Sequence, residues 1–442
     1  MTPALKRIIR HFTSADDFLA DLNRQVIFDD ELQTAVTAII EQVRQEGDQA
    51  LLHYTKQFDS VARTELEVTA TEWQKLQNLP LEIEQLLAEA AANIRRFHQQ
   101  EMKAIQDWQL TANGAMVGQR IVPIERVGVY VPGGKAAYPS SVLMNVIPAQ
   151  VAGVPEIVLV SPPDRETGLV NPLVLTAARL LQVSEIYAVG GVQAIAALAY
   201  GTETIPPVAK ITGPGNRYVT EAKRQVYGKV GIDALAGPSE IVILADETAN
   251  PVHLAADLLS QAEHDENARA ILISTNDQIL AATEIELERQ LSTLPKAAVA
   301  RTALAQAGAL IKVTDLSAGI ALINKIAPEH LELQLSNPEK ILPLIKSAGA
   351  IFLGSFTPEP VGDYWAGSNH ILPTAGGARF SSALSVRDFL HWTSIISYDQ
   401  KALAQHAIKI ARFARLEGLE AHARAIECRA TVAENERIIT NE

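Results

Sequence analysis

The chain has 442 residues, enough for two core-forming domains, and 48% of them are hydrophobic. The formal net charge of -13 argues against a broad polyanion binder, because phosphate backbones recruit clustered Lys and Arg. Aromatic residues make up only 5% of the chain, so aliphatic side chains build the core, as suits α/β layers. Cys428 is the single cysteine, which excludes an internal disulfide and a Cys-rich zinc site.

The N-terminal quarter of the sequence, residues 1–110, has a helical pattern. Apolar residues with a 3.6-residue period give one apolar face to a segment that ends at Gly47, and a second amphipathic stretch follows over residues 86–97. The start, residues 1–18, lacks the apolar run of a signal peptide. No window reaches ~18 uninterrupted apolar residues, so we expect a cytoplasmic enzyme without a membrane span.

From Val127 onwards, short apolar runs alternate with Ala- and Leu-rich helical segments, the pattern of βαβ units and a parallel sheet. The predicted strands are Val127–Val131, Ile157–Val160, Ile186–Val189, Lys210–Thr212, Ile241–Leu244, Ile271–Ser274, Leu310–Val313 and Ile351–Leu353. They predict two doubly wound, Rossmann-like α/β modules. The tail from about Ser385 has a helical pattern again.

The tripeptide Pro328-Glu329-His330 follows a helical pattern, and residues 331–333 then alternate like a strand. A carboxylate and an imidazole therefore adjoin at a helix-to-strand junction. His suits proton transfer near neutral pH, and burial can tune Glu towards it. The tripeptide is therefore the candidate acid–base centre of a metal-dependent enzyme. A turn with incidental polar residues is the alternative.

Three further motifs carry candidate metal ligands. Gln261 and His264 are i and i+3 at the end of a helical segment, and an amide oxygen and an imidazole on one helix face can bind zinc. Taken alone, a helix-terminal His with polar neighbours explains that pattern better. Asp363 follows the last predicted strand, and loops at strand carboxyl ends hold ligands in open α/β sheets. His370 is either its partner or a plain loop residue, and a lone tail His422 is more often a surface residue.

Two glycine-containing turns follow predicted strands and precede helical patterns. Gly213-Pro214-Gly215-Asn216 is a weak phosphate-site signal, because it lacks the third Gly of the dinucleotide fingerprint. Pro132-Gly133-Gly134-Lys135 is not a P-loop, since Ala136 stands where Ser or Thr should bind Mg²⁺. Both turns can wrap a dinucleotide, and both can equally be tight turns between a strand and a helix.

The order of these motifs resembles the histidinol dehydrogenase family, the zinc enzymes of the last two steps of histidine biosynthesis. The resemblance runs from about Val127 through His422, and more loosely over the N-terminal helices. It rests on Ile232-Asp233, Ala236-Gly237-Pro238-Ser239-Glu240, Ser260-Gln261-Ala262-Glu263-His264, Pro328-Glu329-His330, Gly362-Asp363-Tyr364 and Asn369-His370-Ile371-Leu372-Pro373-Thr374.

The resemblance implies a role for each matching residue, one zinc ion per subunit and NAD as the cofactor. Glu329 and His330 are the implied acid–base pair. The implied zinc ligands are Gln261, His264, Asp363 and His422. The implied substrate contacts are Ser239, Gln261, His264, His330, Asp363, Glu417 and His422. The implied NAD contacts are Tyr130, Gln193 and Asn216.

The implied reaction takes L-histidinol through L-histidinal to L-histidine with two NAD reduced, without nucleic acid or membrane partners. The family implies a homodimer in which Glu417 and His422 complete the partner's site. We place an N-terminal helical segment at 1–27, a first domain at 28–129 and 239–384, a second domain at 130–238 and a helical, dimerising tail at 385–442. The first domain would carry most catalytic and metal residues, and the second the NAD contacts.

Three rival functions remain open on the sequence, one of them a related enzyme that acts on another amino alcohol. A zinc hydrolase would use Glu329 as its base and the same ligands, and it would need no nucleotide. A non-catalytic nucleotide-binding or assembly protein would tend to have lost the polar site residues.

Because Cys428 lies past the tail His422, away from every strand-end motif, aldehyde oxidation through a thiohemiacetal is disfavoured, and attack by water is favoured.

Overall fold

The computed structural model describes residues 8–22, 29–74, 79–133 and 137–439, with side chains to residue 430. The predicted N-terminal helical segment lies partly outside these ranges. Residues 134–136, which include the end of the second glycine turn, also lie outside them. The chain forms two compact units, Met1–Met102 with Ile124–Phe389 and Lys103–Pro123 with Leu390–Glu442. Within the described ranges, no helix combines the length and the apolar character that crossing a bilayer needs.

In chain order, the strands are β1 (Arg10–Phe12), β2 (Trp108–Ala112), β3 (Ala115–Pro123), β4 (Arg126–Tyr130), β5 (Glu156–Val160), β6 (Ile186–Tyr187), β7 (Lys210–Thr212), β8 (Gly231–Ile232), β9 (Glu240–Ala245), β10 (Arg269–Ser274), β11 (Ala309–Lys312), β12 (His330–Gln334), β13 (Ala350–Leu353) and β14 (Leu390–Tyr398).

The α-helices are α1 (Ala15–Leu22), α2 (Asp30–Glu46), α3 (Asp48–Asp59), α4 (Ala70–Gln74), α5 (Leu81–Met102), α6 (Pro139–Ala152), α7 (Pro172–Leu180), α8 (Gly191–Tyr200), α9 (Arg217–Val226), α10 (Pro251–Ala262), α11 (Asp277–Leu291), α12 (Ala297–Ala307), α13 (Leu316–Ile326), α14 (Pro338–Ile341), α15 (Glu359–Val361), α16 (Gln400–Leu416) and α17 (Glu420–Ile439). Short 3₁₀ turns span Leu342–Leu344, Gly377–Arg379 and Val386–Phe389, and a π-helical turn spans Gly362–Ala366.

The first unit holds two parallel sheets, as the alternating pattern predicts. One has the strand order β1-β11-β10-β9-β12-β13, and the other has the order β6-β5-β4-β7-β8. In the larger sheet every residue of β9 is buried, because alternate residues enter apolar clusters on opposite faces: Ile243 with α10 and α12, and Leu244 with α13. Burial on both faces is what a doubly wound sheet requires, so the predicted α/β fold is confirmed.

The second unit is a three-stranded antiparallel sheet, in the order β14-β3-β2, with the helices α16 and α17. Its strands correct two sequence expectations. β2 lies at the end of the N-terminal region predicted as helical, and β14 begins the tail predicted as helical. β14 pairs with β3 along its whole length, from Leu390 opposite Pro123 to Tyr398 opposite Ala115. Cross-strand pairing therefore overrides the helical reading of this segment.

The predicted division into domains remains a proposal. The two parallel sheets correspond to its two Rossmann-like parts in most of their strands. However, β1 of the larger sheet lies in the predicted N-terminal segment, and β2 and β3 of the predicted first domain pair in the second unit. The boundary at 129/130 falls inside β4, whose five residues pair with β5 on one side and whose middle three pair with β7 on the other. Tyr130 therefore belongs to the same strand as Val127 and Val129.

Candidate active site

Glu329 and His330 lie where the chain passes from α13 into β12. α13 ends at Ile326, and Ala327 takes a left-handed conformation with φ 52°, its N–H donating to Ile323 O at 2.8 Å. Pro328 follows at once and cannot continue a helix, so it helps to end α13. Leu331 and Leu333 enter the apolar core, so strand alternation turns His330 and Glu332 towards the opposite face.

His330 is only 4% exposed, and its two ring nitrogens have different surroundings. Nδ1 lies 3.0 Å from the carbonyl oxygen of Glu240, the first residue of β9. Nε2 has no hydrogen-bond partner among the residues that the structure describes. Burial lowers the pKa of His330 to about 4, against the opposing effect of the Asp363 charge. The imidazole is therefore neutral at pH 7, and Nε2 is free to accept a proton.

Glu329 is equally buried, and its carboxylate accepts the backbone N–H of Glu240 at 2.8 Å. The same carboxylate lies 3.6 Å from His330 Nδ1. Burial raises the pKa of Glu329 well above its ordinary range, against the lowering effect of the Glu240 N–H. The charges of Glu240 and Asp363 add to the rise. A carboxylate with a raised pKa is a stronger base than an exposed one, as general-base catalysis near neutral pH requires. Ser239, half-buried, directly precedes Glu240.

Two more carboxylates face His330 Nε2. Glu359 Oε1 lies 3.8 Å from it and Asp363 Oδ1 lies 4.0 Å from it. One ligand atom from each of these three residues falls within 4.8 Å of the others, a spacing that can hold a metal ion. Asp363 therefore approaches the first residue of β12, the amino end of that strand. This corrects the expectation that it would lie at a carboxyl edge of the sheet.

Glu359 is a functional candidate that the sequence reasoning missed. It is 3% exposed and lies in the three-residue helix α15, between two prolines. Burial raises the pKa of Glu359 to about 9, and the neighbouring Asp363 charge adds to this effect. The only sequence signal was its position four residues before Asp363, which places two acids on one side of a helical turn.

A buried acidic pair lies beneath these groups. Glu332 is fully buried, and its carboxylate accepts the backbone N–H of Glu359 at 2.9 Å. Asp257 of α10 neighbours Glu332. Burial and then the Glu332 charge raise the pKa of Asp257 to about 9. Because two neighbouring buried carboxyl groups share a proton, Asp257 and Glu332 together carry about one negative charge. Glu332 can therefore hold the backbone of α15 without a second buried charge beside it.

Gln261 lies in the last turn of α10 and is fully buried. Neither its Oε1 nor its Nε2 has a hydrogen-bond partner within the described ranges, an unusual state for a buried amide. The helix ends at Ala262, so His264 lies beyond it instead of on the predicted helix face. The His264 N–H still donates to Gln261 O at 3.2 Å, and the His264 side chain is exposed. The charge of His264 also lowers the pKa of His330, but its effect is smaller than that of burial.

His370 contacts the backbone of the Asp363 turn: its Nδ1 lies 3.2 Å from the carbonyl oxygen of Asp363. Burial lowers the pKa of His370, so a neutral ring stands behind the carboxylate. The neighbouring Asn369 is buried and donates to Met144 O at 2.7 Å. These contacts make His370 a partner of the Asp363 loop, the first of the two alternatives that the sequence left open.

The predicted cofactor contacts gather at the carboxyl end of the five-stranded sheet. Tyr130 ends β4, and its hydroxyl accepts the Gly191 N–H at 3.2 Å. Gln193 in the first turn of α8 is 1% exposed, and both of its amide atoms lack partners in the part of the chain that the structure describes. Asn216 caps α9, its Oδ1 accepting from Tyr218 N and Val219 N. A buried, unsatisfied amide beside two helix N-termini suits a bound polar ligand.

Glu417 and His422 belong to the second unit. Glu417 caps the carboxyl end of α16, and His422 lies in the first turn of α17. Both are exposed. Their part in a site is therefore a proposal rather than an observed contact.

Comparisons with known proteins agree with this fold and chemistry. The family model for histidinol dehydrogenase matches residues 22–430. A histidinol dehydrogenase of Geobacillus kaustophilus is 54% identical over 402 residues, covering 90% of this chain and 94% of that protein. The Bacillus subtilis histidinol dehydrogenase is 51% identical, covering 90% and 93%. The crystal structure of histidinol dehydrogenase from Elizabethkingia anophelis has a TM-score of 0.92 at 38% identity, covering 98% of this chain and all of that one.

A buried acid–base pair on a doubly wound α/β fold, with these relatives, defines an oxidoreductase enzyme. More particularly, the chain belongs to the histidinol dehydrogenase family. The resemblance stated from the motifs is thus confirmed, and histidinol dehydrogenase is the function that the relatives support.

Proposed function

We propose that this protein oxidises L-histidinol to L-histidine through L-histidinal, with one zinc ion per subunit and two NAD reduced. The observation that carries the proposal is the neutral, buried His330. Its Nε2 faces Glu359 and Asp363 and has no hydrogen-bond partner within the described ranges. Its neutral imidazole can take a proton from an alcohol as the hydride leaves, whereas a protonated ring could not. The cytoplasmic location expected from the sequence stays a prediction.

The residues present fit a zinc ion. The orphaned amide of the fully buried Gln261 needs a partner that the described residues do not supply, and a metal ion would satisfy its oxygen. Gln261, His264 and Asp363 offer oxygen and nitrogen ligands of the kinds that zinc accepts, and His422 of a second subunit would be the fourth. When bound, zinc would hold the imidazole and amine of the substrate and orient its alcohol carbon.

In the first oxidation, His330 accepts the alcohol proton at Nε2 while a hydride leaves the alcohol carbon. Its Nδ1 proton is held by the carbonyl oxygen of Glu240 at 3.0 Å, which fixes the tautomer that this step needs. NAD supplies the acceptor for the hydride in both oxidations. Ser239, which precedes Glu240, is proposed to contact the substrate, together with Gln261, His264, His330, Asp363, Glu417 and His422.

Between the two oxidations, Glu329 takes a proton from water, and the water adds to the aldehyde carbon to give a hydrate. The raised pKa of Glu329 makes its carboxylate basic enough for this role. The backbone N–H of Glu240 holds one carboxylate oxygen at 2.8 Å and leaves the other for the water. His330 then accepts the hydrate proton during the second hydride loss.

The cofactor contacts are proposed on similar grounds. Tyr130 ends β4, Gln193 lies in the first turn of α8 after β6, and Asn216 caps α9 after β7. The buried amide of Gln193, without a partner among the described residues, fits a ligand that offers both a donor and an acceptor, as a dinucleotide does. Ligands of doubly wound sheets bind at this edge.

We further propose a homodimer in which Glu417 and His422 of the partner subunit complete each site. A mixture of two inactive proteins tests the sharing: one carries Glu329→Gln with His330→Asn, and the other carries His422→Ala. After subunit exchange, a mixed dimer has one site with intact catalytic residues and an intact tail. Activity that appears on mixing is expected. Mixed dimers that form yet stay inactive would disprove the sharing.

The main rival function is a zinc hydrolase with Glu329 as its base. Absorbance at 340 nm with histidinol and NAD separates the two, because a hydrolase forms no NADH. A steady rise that requires both compounds is expected. Zinc-dependent hydrolysis without any NADH would replace the proposal by its rival.

A further inference from the structure

We infer that Lys223 and Asp233 act as a pair of positioning residues for the dinucleotide, an inference that rests on the proposed function. Both side chains are buried, 3% and 4% exposed, and they form an ion pair. Lys223 lies on α9, whereas Asp233 follows β8. No step of the proposed reaction uses either residue. Because burying two charges has a desolvation cost, stability alone does not explain the pair.

The pair holds both hydrogen-bonding groups of Gly213. Lys223 Nζ donates to the Gly213 carbonyl oxygen at 3.1 Å, and the Gly213 N–H donates to Asp233 Oδ2 at 2.8 Å. The Asp233 N–H in turn donates to Ile211 O at 3.2 Å, which fixes the carboxylate against β7. The turn between β7 and α9 is therefore fixed by side chains from outside it.

Gly213 needs such support because its backbone is unusual. Its φ is +116°, a conformation that L side chains rarely adopt, and a Cβ there would collide with the carbonyl oxygen of Tyr130. The turn thus lies directly against the end of β4. Three residues further on, Asn216 caps α9. Holding Gly213 therefore sets the position of Asn216 relative to Tyr130, the two proposed cofactor contacts on either side of the turn.

A double substitution tests this role. Lys223→Met with Asp233→Leu replaces the pair by apolar side chains of similar size, which buried sites often tolerate, and removes both bonds to Gly213. The measured quantities are the NADH dissociation constant and the separate KM values of the whole enzyme. We expect weaker NADH binding by roughly tenfold or more, since two hydrogen bonds no longer fix the turn. The KM for histidinol and the zinc content should stay within about twofold of the native values.

Arg224→Met is the matched control. Arg224 is the next residue of α9 and also forms an ion pair, with Glu221, but its side chain is 41% exposed and that pair does not contact Gly213. The control should bind NADH like the native protein. Equal NADH affinity in the double variant and the native protein would overturn the inference, as would a parallel rise in both KM values. A native protein that binds no NADH would instead overturn the proposed function and this inference with it.

Hydrogen exchange on the native protein keeps the test valid if the double variant does not fold. The Gly213 amide should be protected before any cofactor is added, because its N–H is bound to a buried carboxylate. Protection of peptides that cover residues 211–216 in the cofactor-free protein is expected. Exchange there as fast as in an unstructured peptide would show that the pair does not hold the turn.

Discussion

The backbone N–H of Glu240 donates to the carboxylate of Glu329 at 2.8 Å, which joins the first residue of β9 to the residue before β12. The carbonyl oxygen of the same Glu240 lies 3.0 Å from His330 Nδ1. Because a carbonyl oxygen can only accept, Nδ1 carries the proton and Nε2 is left as the base. One residue of β9 thus orients both members of the proposed acid–base pair.

Glu329→Gln should separate the two oxidations. The amide keeps an oxygen that can accept the Glu240 N–H, so the local structure should persist, but it cannot take a proton from water. We expect oxidation of histidinal to fall by about 10²- to 10⁴-fold, the usual effect of losing a general base, with a smaller loss for histidinol to histidinal. Single-turnover measurements with each substrate check this. Equal losses in both steps would contradict the assigned role.

The same substitution should stabilise the protein at neutral pH. Burial raises the folded-state pKa of Glu329 above its unfolded value, so the folded protein binds the extra proton. The contribution of Glu329 to the free energy of unfolding is therefore greatest below pH ~4.5, and it declines as the pH rises towards the folded-state pKa. Glu329→Gln lacks this decline, so its free energy of unfolding should rise relative to that of the native protein between pH 5 and pH 8. Urea unfolding at pH 5 and pH 8 measures the free energy of unfolding of both proteins. A variant that is no more stable than the native protein at pH 8 would refute the raised pKa of Glu329 as the cause.

Gln261→Leu should reduce the zinc content of the purified protein. The substitution removes the amide oxygen that lacks a partner among the described side chains, while its similar size keeps the buried volume filled. We expect metal affinity to fall by about 10- to 100-fold and the free energy of unfolding of the metal-free protein to stay equal or rise. Metal analysis after dialysis against a weak chelator reports the affinity. Native zinc retention in the variant would remove Gln261 from the ligand set.

Cys428→Ser should leave both oxidation steps unchanged. Cys428 is exposed on α17, in the second unit, and the first unit that contains Glu329 and His330 has no thiol. If water attacks the aldehyde, a cysteine is not needed to form a thiohemiacetal. Rates of histidinol and histidinal oxidation, measured side by side, check this. Loss of the second step alone would show that the thiol takes part.

The sequence predicted most of the parallel strands because they are short apolar runs, and β9, buried at every residue, is the clearest case. It did not predict the short parallel strands β1 and β8. It did not predict β14, whose residues are mostly exposed and whose strand form depends on pairing with β3, far away in the chain. Glu329 and His330 were found because they adjoin in sequence. Glu359 was missed because its contacts are distant in sequence: the Glu332 carboxylate, 27 positions earlier, accepts its backbone N–H. Local pattern finds neighbours in sequence but not neighbours in space.

The number of NADH molecules formed for each histidine produced is the most direct measure of the proposed reaction. The purified protein is given limiting histidinol with excess NAD, and absorbance at 340 nm is compared with histidine determined by chromatography. Two NADH for each histidine are expected, and a strong chelator should abolish both products until zinc is restored. One NADH with histidinal accumulating, or full activity in the metal-free protein, would contradict the proposed reaction.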